Sequence, residues 1–173
     1  MISKVGTTRV EKIAMTHYEM RRNDRQLSAD EARDILSEAQ YCTISSVDAD
    51  GAPYGVPISF ALVNETLYVH STNDHGHKLD NFSRDARVCV SAVTSTQPAY
   101  VNSYFTTRYE SAIAFGHIRK LEHGTEFRRA LVALCMKYLP EHAKDIGPAI
   151  DAALSKTEVW AIDIEEISGK ASR

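Results

Sequence analysis

The chain has 173 residues, 43% of them hydrophobic, with 20 Lys and Arg against 23 Asp and Glu and a formal net charge of −3. This length and apolar content suit one domain over residues 1–173, and the charge balance lacks the basic excess that general nucleic-acid or anionic-lipid binding requires. No apolar stretch approaches the roughly 20 residues of a membrane span, so we expect neither nucleic acid nor a membrane as a partner.

The N-terminal part predicts an arm followed by a capped helix. Residues 1–26 carry little pattern and are expected to form an extended arm. One basic cluster lies in this arm, and we interpret it as solvated: Arg21, Arg22 and Arg25. Ser28 and Glu31 then form an S-x-x-E capping box ahead of apolar residues at helical spacing, which predicts a helix that ends near Gln40.

Two strands joined by a hairpin turn are predicted next. Residues 41–47 are rich in β-branched and aromatic side chains, and Asp50–Gly51 is a strong hairpin signal. The return strand is expected to run through residues 56–62. Pro53 and Pro57 interrupt its hydrogen-bond ladder, so one edge of this strand is expected to be unpaired or bulged.

The middle of the chain predicts two more strands around a short helix. Asn64–Glu65 is a tight turn into a strand at 67–69, and a helix is expected at about 76–84. Residues 87–93, RVCVSAV, are expected to form a fourth strand. The segment 94–107 is polar and contains a proline, so we predict a loop there.

The last third predicts two strands and two helices. Residues 108–121 form a long strand with Gly116 at a bulge or bend. Apolar residues at helical spacing predict a helix at 127–138, and a weaker pattern predicts another at 141–154. A final strand is expected at 159–164. Six strands, several joined by hairpins, predict a mainly β (α+β) fold, a small closed antiparallel barrel with flanking helices.

The cysteines and the first residues bear on the compartment. Cys42, Cys89 and Cys135 are far apart, each in an apolar run, and no CxxC pair exists. This pattern indicates buried reduced thiols rather than a disulfide framework or a zinc site. The first residues lack the apolar centre of a signal peptide, so the sequence favours a cytoplasmic protein.

The junction LYVHSTNDHGHKLDN, residues 67–81, carries the main functional signal. A short apolar strand ends in Ser71 and Thr72, and a helix that opens near Lys78 follows a turn rich in His and Gly. Hydroxyls, helix-end N–H groups and an ammonium at the positive end of a helix dipole form a good phosphate site. The chain has neither a Walker lysine motif nor a GxGxxG turn, so this is not one of the common nucleotide loops.

The order of these motifs resembles that of the split-barrel flavoproteins related to pyridoxamine 5′-phosphate oxidase, in particular their nitroimidazole-resistance or nitroimidazole-reductase-like branch. The matching pieces are MRRNDR (20–25), the capped helix, DADGAPYGVPISF (48–60), LYVHSTNDHGHKLDNFSRDARVCVSAV (67–93) and TTRYESAIAFGHIRKLE (106–122). They cover most of the chain in the right order. The resemblance implies a six-stranded antiparallel split β-barrel and a homodimer with two FMN sites at the subunit interface.

The resemblance also implies roles for individual residues. The phosphate is expected at Ser71, Thr72, His77 and Lys78. The flavin ring is expected along the strand backbone at Val56, Pro57 and Ile58. Tyr109 and Ser111 match positions that face the cofactor, often from the other subunit. His70, at the end of the third strand, is the one catalytic candidate, and a hydrogen-bonded structural histidine is the alternative for it.

Two departures from the true oxidases affect the expected activity. The oxidases place an Arg–Lys pair at the phosphate, whereas this chain has His77–Lys78. We therefore expect electrostatic binding of the phosphate to be weaker or pH-dependent. They also carry a basic, proline-containing C-terminal segment, and this chain ends in ISGKASR without one. The sequence therefore disfavours the formation of pyridoxal phosphate.

The expected function is that of an FMN-dependent oxidoreductase. It passes electrons from a small-molecule donor to a small acceptor such as a nitroaromatic, with the chemistry on the flavin. The alternatives are a non-catalytic flavin- or haem-binding protein and, less favoured, a pyridoxamine phosphate oxidase. The histidines His70, His75 and His77 lack the fourth ligand and firm spacing of a zinc site, so no metal is expected.

Overall fold

The structure is a computed structural model that describes residues 19–173. Its strands are β1 (Gln26–Leu27), β2 (Cys42–Val47), β3 (Pro53–Ile58), β4 (Phe60–Val63), β5 (Thr66–Thr72), β6 (Arg87–Val101), β7 (Tyr104–Lys120) and β8 (Thr157–Ser172). Its α-helices are α1 (Ala29–Glu38), α2 (His77–Arg84), α3 (Thr125–Tyr138) and α4 (Ile146–Ala153), and short 3-10 segments lie at Asn23–Arg25, Pro140–Asp145 and Leu154–Lys156. The predicted mainly β fold with flanking helices is confirmed, but the predicted count of six strands is wrong, since the described sheet has eight strands.

The strands form one antiparallel sheet in the order β3-β2-β6-β7-β8-β5-β4, and β1 pairs with β8. The two ends of this path, β3 and β4, are separated in sequence by Ser59 alone. The sheet must therefore curl until its ends meet, which makes a barrel. Since β3 and β4 do not pair with each other, the barrel is split at this seam.

Two apolar clusters stabilise the fold. The first fills the barrel between the strands, α1 and α2, and includes Ile44, Val90 and Ile162, each 0% exposed. At one end of the barrel Phe82 of α2 meets Trp160 of β8 edge to face, with ring centroids 5.6 Å apart. The second cluster lies outside the barrel, where α3 and α4 cover β4, β5 and β8. Each fully buried large side chain contributes about 1.5–3 kcal/mol, so the barrel interior is the main source of stability.

The predicted cap and hairpin turn are both confirmed. The Ser28 hydroxyl accepts from the Glu31 N–H at 3.2 Å, and the Glu31 carboxylate accepts from the Ser28 N–H at 2.9 Å. Gly51 has φ of 85°, a conformation that favours glycine. The turn is tightened by Asp48, whose carboxylate accepts from the N–H of Ala52 at 2.8 Å. These local contacts fix the start of α1 and the register of β2 with β3.

The predicted return strand at 56–62 is not one strand. It breaks at Ser59 into β3 and β4, which lie at opposite ends of the strand order. Among residues 19–173, β3 pairs with β2 only, so the prediction of an unpaired edge is confirmed. Pro53 and Pro57 suit this position because a proline has no N–H for a second partner strand.

The predicted loop at 94–107 is wrong. These residues continue β6 and β7 into a long two-stranded hairpin, with Pro98 opposite Thr107 and Val101 opposite Tyr104. The turn has two left-handed residues, Asn102 with φ of 51° and Ser103 with φ of 65°. Such a turn matches the twist of the flanking strands. The segment escapes sequence prediction because this hairpin is largely exposed on both faces, so apolar and polar residues do not alternate.

The last strand is much longer than the predicted 159–164, since β8 runs to Ser172 along the whole length of β7. A bulge occurs where it was predicted, at Gly116, opposite the step from Ile164 to Glu166 on β8. A Cβ on Gly116 would lie 2.2 Å from the Asp163 carbonyl oxygen, so only glycine allows this close approach. The pairing partner β7, rather than local alternation, keeps the second half of β8 extended.

Both ends of the predicted element list also need correction. The expected helix at 141–154 is a 3-10 segment followed by α4 alone. Most of the expected arm, residues 1–18, lies outside the described residues, but its end forms a 3-10 turn at 23–25 and the strand β1. Between residues 19 and 173, no helix has the length and apolar character needed to cross a membrane.

Candidate functional site

The predicted phosphate site lies at the corner between β5 and α2. After Thr72 the chain leaves the sheet, and Asn73 fixes the exit because its N–H donates to the Lys156 carbonyl at 3.1 Å. The Asn73 side-chain amide also donates to the Ser155 carbonyl at 3.0 Å. The corner therefore has a rigid base, and Ser71 and Thr72 are held at the rim of the barrel.

The amino end of α2 opens onto the same corner. Gly76 is its N-cap residue and offers no side-chain acceptor, so no side chain caps the first N–H groups of the helix. These N–H groups and the helix dipole are left for an anion. A buried hydrogen bond of 3.1 Å from the Asn81 amide to the Ser46 hydroxyl holds α2 on β2, and an exposed bond from Arg84 to the Val47 carbonyl adds to it.

His77 connects α2 to the β2–β3 hairpin. Its ring lies on Tyr54, with centroids 4.1 Å apart, and its Nε2 is 3.7 Å from an Asp48 carboxylate oxygen. Backbone hydrogen bonds from Ala52 and Asp50, followed by the nearby His77, hold the pKa of Asp48 below its ordinary value. His77 therefore positions α2 beside β3. The sequence analysis did not identify Tyr54 as part of this site. The one sequence feature that could have indicated it is an aromatic residue at an inward-facing position of an edge strand.

Lys78 and His70 are electrostatically coupled. Lys78 is half-buried on α2, and His70 precedes Ser71 on β5. The surrounding protein partly desolvates the exposed His70 ring, and this effect, followed by the charge of Lys78, lowers the pKa of His70 below its ordinary value. The imidazole is therefore neutral at neutral pH, and Lys78 carries the positive charge of this corner.

The corner also lies beside the open edge of the barrel. On β3 the side chains of Val56 and Ile58 are half-buried, and Pro57 between them is exposed. The His77–Tyr54 contact brings this strand against α2. One chain thus brings together the predicted residues of β3, β5 and α2.

Tyr109 and Ser111 are not part of this cluster within one chain. Tyr109 pairs with Ser172, whereas Lys120, at the other end of β7, pairs with Trp160. Trp160 pairs in turn with Val69, close to the corner. Tyr109 and Lys120 are about 35 Å apart along an extended strand. Within one chain, Tyr109 and Ser111 therefore lie far from the corner along β7.

Tyr109 has two cationic neighbours that sequence reasoning did not assign to any site. Burial raises the pKa of the Tyr109 phenol, but the neighbouring cations Arg25 and Lys170 outweigh burial and bring the pKa below its ordinary value. Ser111 donates to the Lys170 carbonyl at 3.3 Å. The interpretation of Arg25 as a solvated residue is therefore wrong, because its side chain is half-buried beside Tyr109.

The cysteines and histidines add no further centre. Cys42 is fully buried, and burial raises the pKa of its thiol to about 12, whereas Cys89 and Cys135 are half-buried. All three thiols are free. Within the described part of the chain no group of three His, Cys, Asp or Glu side chains is placed to hold a metal ion.

Comparison with known proteins decides the family. The model of the pyridoxamine 5′-phosphate oxidase family matches residues 28–171, which is most of the chain. This chain belongs to the pyridoxamine 5′-phosphate oxidase family. The predicted resemblance is thereby confirmed. No curated protein sequence matches the chain significantly.

Solved structures of this family share the fold. A candidate 5-nitroimidazole antibiotic resistance protein from Bacteroides thetaiotaomicron is 28% identical, with TM-score 0.73 over 84% of this chain and 85% of that one. An FAD and haem binding protein from Mycobacterium smegmatis is 25% identical, with TM-score 0.75 over 86% of this chain and 74% of that one. The flavocytochrome Anf3 from Azotobacter vinelandii, at 15% identity and TM-score 0.77 over 90% and 73% of the two chains, shows the common fold alone.

Proposed function

We propose that this protein is an FMN-binding oxidoreductase, with the cofactor phosphate at the β5–α2 corner. The observation that carries the proposal is the convergence of an uncapped helix end, Lys78 and the Ser71–Thr72 hydroxyl pair beside the open edge of β3. Family membership supports it, and so does the Mycobacterium smegmatis relative, which is described as binding FAD.

The corner suits a phosphate better than a carboxylate. A phosphate monoester carries between one and two negative charges near neutral pH and has three acceptor oxygens. The α2 N–H groups, the Lys78 ammonium and two hydroxyls supply donors for all three oxygens. Because His77 is engaged by Tyr54 and Asp48, its main contribution is to position α2 rather than to supply charge.

The ring of the cofactor fits along β3 at Val56, Pro57 and Ile58, where the strand has no second neighbour. A flat tricyclic ring needs apolar cover on its other face. We propose that a second copy of the chain supplies it, so that the protein is a homodimer. The outer sheet face supports this arrangement, because Val93 is 53% and Ile113 is 41% exposed next to Ser111 and Tyr109.

The reaction follows from the cofactor. Bound FMN would supply two-electron transfer between a reduced small-molecule donor and a small acceptor such as a nitroaromatic. The chain contributes position and exclusion of water at the corner and the seam. His70, neutral at the rim, is the candidate for holding or moving a proton on the acceptor.

Replacing Lys78 with Ala tests the corner. Loss of a charge-assisted contact should weaken FMN binding by roughly 1–3 kcal/mol, measured by fluorescence titration of the apo protein. Lys144→Ala, an exposed lysine on the 3-10 segment after α3, is the matched control and should bind as the original chain does. Unchanged affinity in Lys78→Ala would place the phosphate elsewhere.

Haem is the second candidate ligand. It is favoured by the neutral state of His70, since a neutral imidazole nitrogen binds iron, and by the relative described as binding both FAD and haem. The absorption spectrum of the purified protein separates the two ligands. An intense Soret band that is lost in His70→Ala would support haem, and a flavin spectrum would support FMN.

A further inference from the structure

A row of polar side chains crosses three strands on the outer face of the sheet. Lys170 of β8 pairs with Gln26 of β1 on one side and with Ser111 of β7 on the other. Tyr109 lies two residues before Ser111 and so on the same face of β7. Arg25 directly precedes Gln26. Backbone pairing therefore gathers an ammonium, a phenol and a hydroxyl in one place, and the 3-10 segment before β1 brings the Arg25 guanidinium beside Tyr109.

Within the described part of the chain, no ion pair neutralises the two cations of this row. Among residues 19–173, neither Arg25 nor Lys170 lies within ion-pair distance of a carboxylate. The nearest acidic residue in sequence, Asp24, is held by two contacts from Arg22 at 2.7 and 2.6 Å. Arg173 offers a contrast, since its guanidinium lies 2.8 Å from the Glu110 carboxylate.

Neighbouring residues show that this face is not simply a solvated rim. Arg25, Tyr109, Ser111 and Lys170 are all half-buried. Val93, which is opposite Ser111, exposes 53% of its surface and adds an apolar wall. Charges on a partly apolar surface attract an anion more strongly than charges in open water do, because the effective dielectric constant is lower.

We propose that Arg25, Tyr109, Ser111 and Lys170 form a binding site for the anionic group of a small-molecule substrate, a carboxylate or a phosphate. A guanidinium fork binds two oxygens of a planar anion, and the ammonium and phenol supply two further donors. The Ser111 hydroxyl becomes a third one when its O–H turns from the Lys170 carbonyl to the anion. The site is separate from the Lys78 corner in one chain. Its position next to the electron-transfer site, contributed across the dimer, rests on the proposed function.

The test compares two nitroaromatics of nearly equal shape. p-Nitrobenzoate carries a carboxylate, and p-nitrobenzamide is its neutral counterpart. Calorimetric titration of the purified protein should show at least tenfold tighter binding of the benzoate, with inorganic phosphate competing if the site accepts either anion. Arg25→Gln and Lys170→Gln should each remove most of this preference. Arg108→Gln makes the same charge change on the opposite face of β7 and should keep it.

Each remaining outcome is decisive. Equal binding of the two compounds, or a preference that survives both substitutions, would overturn the site. Dissociation of a dimer by Lys170→Gln, seen by light scattering, would show that the cations hold a carboxylate of a second copy instead. Flavin titration of the same samples is independent of these results. A preference for the anion without flavin binding would support this site and refute the proposed function. Flavin binding without a preference for the anion would support the proposed function and refute this site.

Discussion

The β5–α2 corner and the Tyr109 row are both rich in donors, but they are built in different ways. At the corner, Lys78 and a helix end are brought together by a turn of a few residues, so the arrangement is local in sequence. In the row, Arg25 comes from the 3-10 segment before β1, and Tyr109 and Lys170 come from β7 and β8. These segments are far apart in sequence and meet through the pairing of β1, β7 and β8.

This difference separates an arrangement within one chain from one that we expect to need two chains. The corner is formed by residues of one chain, and side-chain hydrogen bonds of Asn73, Asn81 and Arg84 hold its base and its helix. The row lies near one end of β7, and the β5–α2 corner of the same chain lies near the other end. We infer that the two regions serve one site only when two chains combine, and the following experiments test that relation.

Ile113→Lys should have the largest effect on the association of two chains, which brings the corner and the row together. Ile113 is 41% exposed on the outer face, so a lysine is tolerated in a single chain but buries a charge if a second chain covers this face. We expect a monomer in light scattering and at least a tenfold loss of FMN affinity. Val132→Lys, at a 38% exposed position on α3, is the control and should change neither. A monomeric Ile113→Lys protein that keeps its flavin would refute a shared site.

Gly116→Ala should act on both regions by disturbing the β7–β8 pair that connects them. The added Cβ would meet the Asp163 carbonyl oxygen at 2.2 Å, so the strands must separate, at a cost of roughly 3 kcal/mol or more in the free energy of unfolding. Gly55→Ala on β3 meets Thr43 at 3.4 Å, an ordinary contact, and should cost less than about 1 kcal/mol. Urea denaturation measures both, and equal losses would contradict the close approach at the bulge.

The smallest effect distinguishes the electrostatics of two tyrosines. Burial, followed by the hydrogen bond to Glu126, raises the pKa of Tyr68 above its ordinary 10.0, whereas Arg25 and Lys170 bring that of Tyr109 below it. Tyr109 therefore ionises more readily folded than unfolded, and its contribution to stability grows as pH rises through its folded pKa. Tyr68 behaves oppositely, and its contribution is lost above the unfolded pKa.

Ultraviolet absorbance of phenolate during an alkaline titration measures this contrast. Tyr109→Phe should remove an early part of the rise, and Tyr68→Phe a late part. Lys170→Gln should move the Tyr109 phase to higher pH. If Tyr109→Phe leaves the early rise unchanged, the two cations do not act on this phenol.

Features set by adjacent residues could be predicted from the sequence. The capping box of Ser28 and Glu31, the Asp50–Gly51 turn and the strand–turn–helix order at 67–84 each depend on a few neighbours, and the structure has all of them. The bulge at Gly116 was also predictable, because a glycine inside a strand is costly without such a reason.

Features set by distant pairing could not be predicted. The second half of β8 is extended because β7 lies beside it, and residues 94–107 form a hairpin without one buried face. The break at Ser59 depends on closure of the whole barrel. For the same reason the sequence analysis interpreted Arg25 as solvated, because its neighbours Tyr109 and Lys170 lie 84 and 145 residues later in the sequence.

The prolines of β3 also lower the tendency of the protein to aggregate. An open strand edge can template pairing with another molecule and so begin a fibril. Pro53 and Pro57 remove two of the N–H donors from this edge, and β3 is short. The edge of β3 thus stays open while it offers few hydrogen-bond donors to an aggregating neighbour.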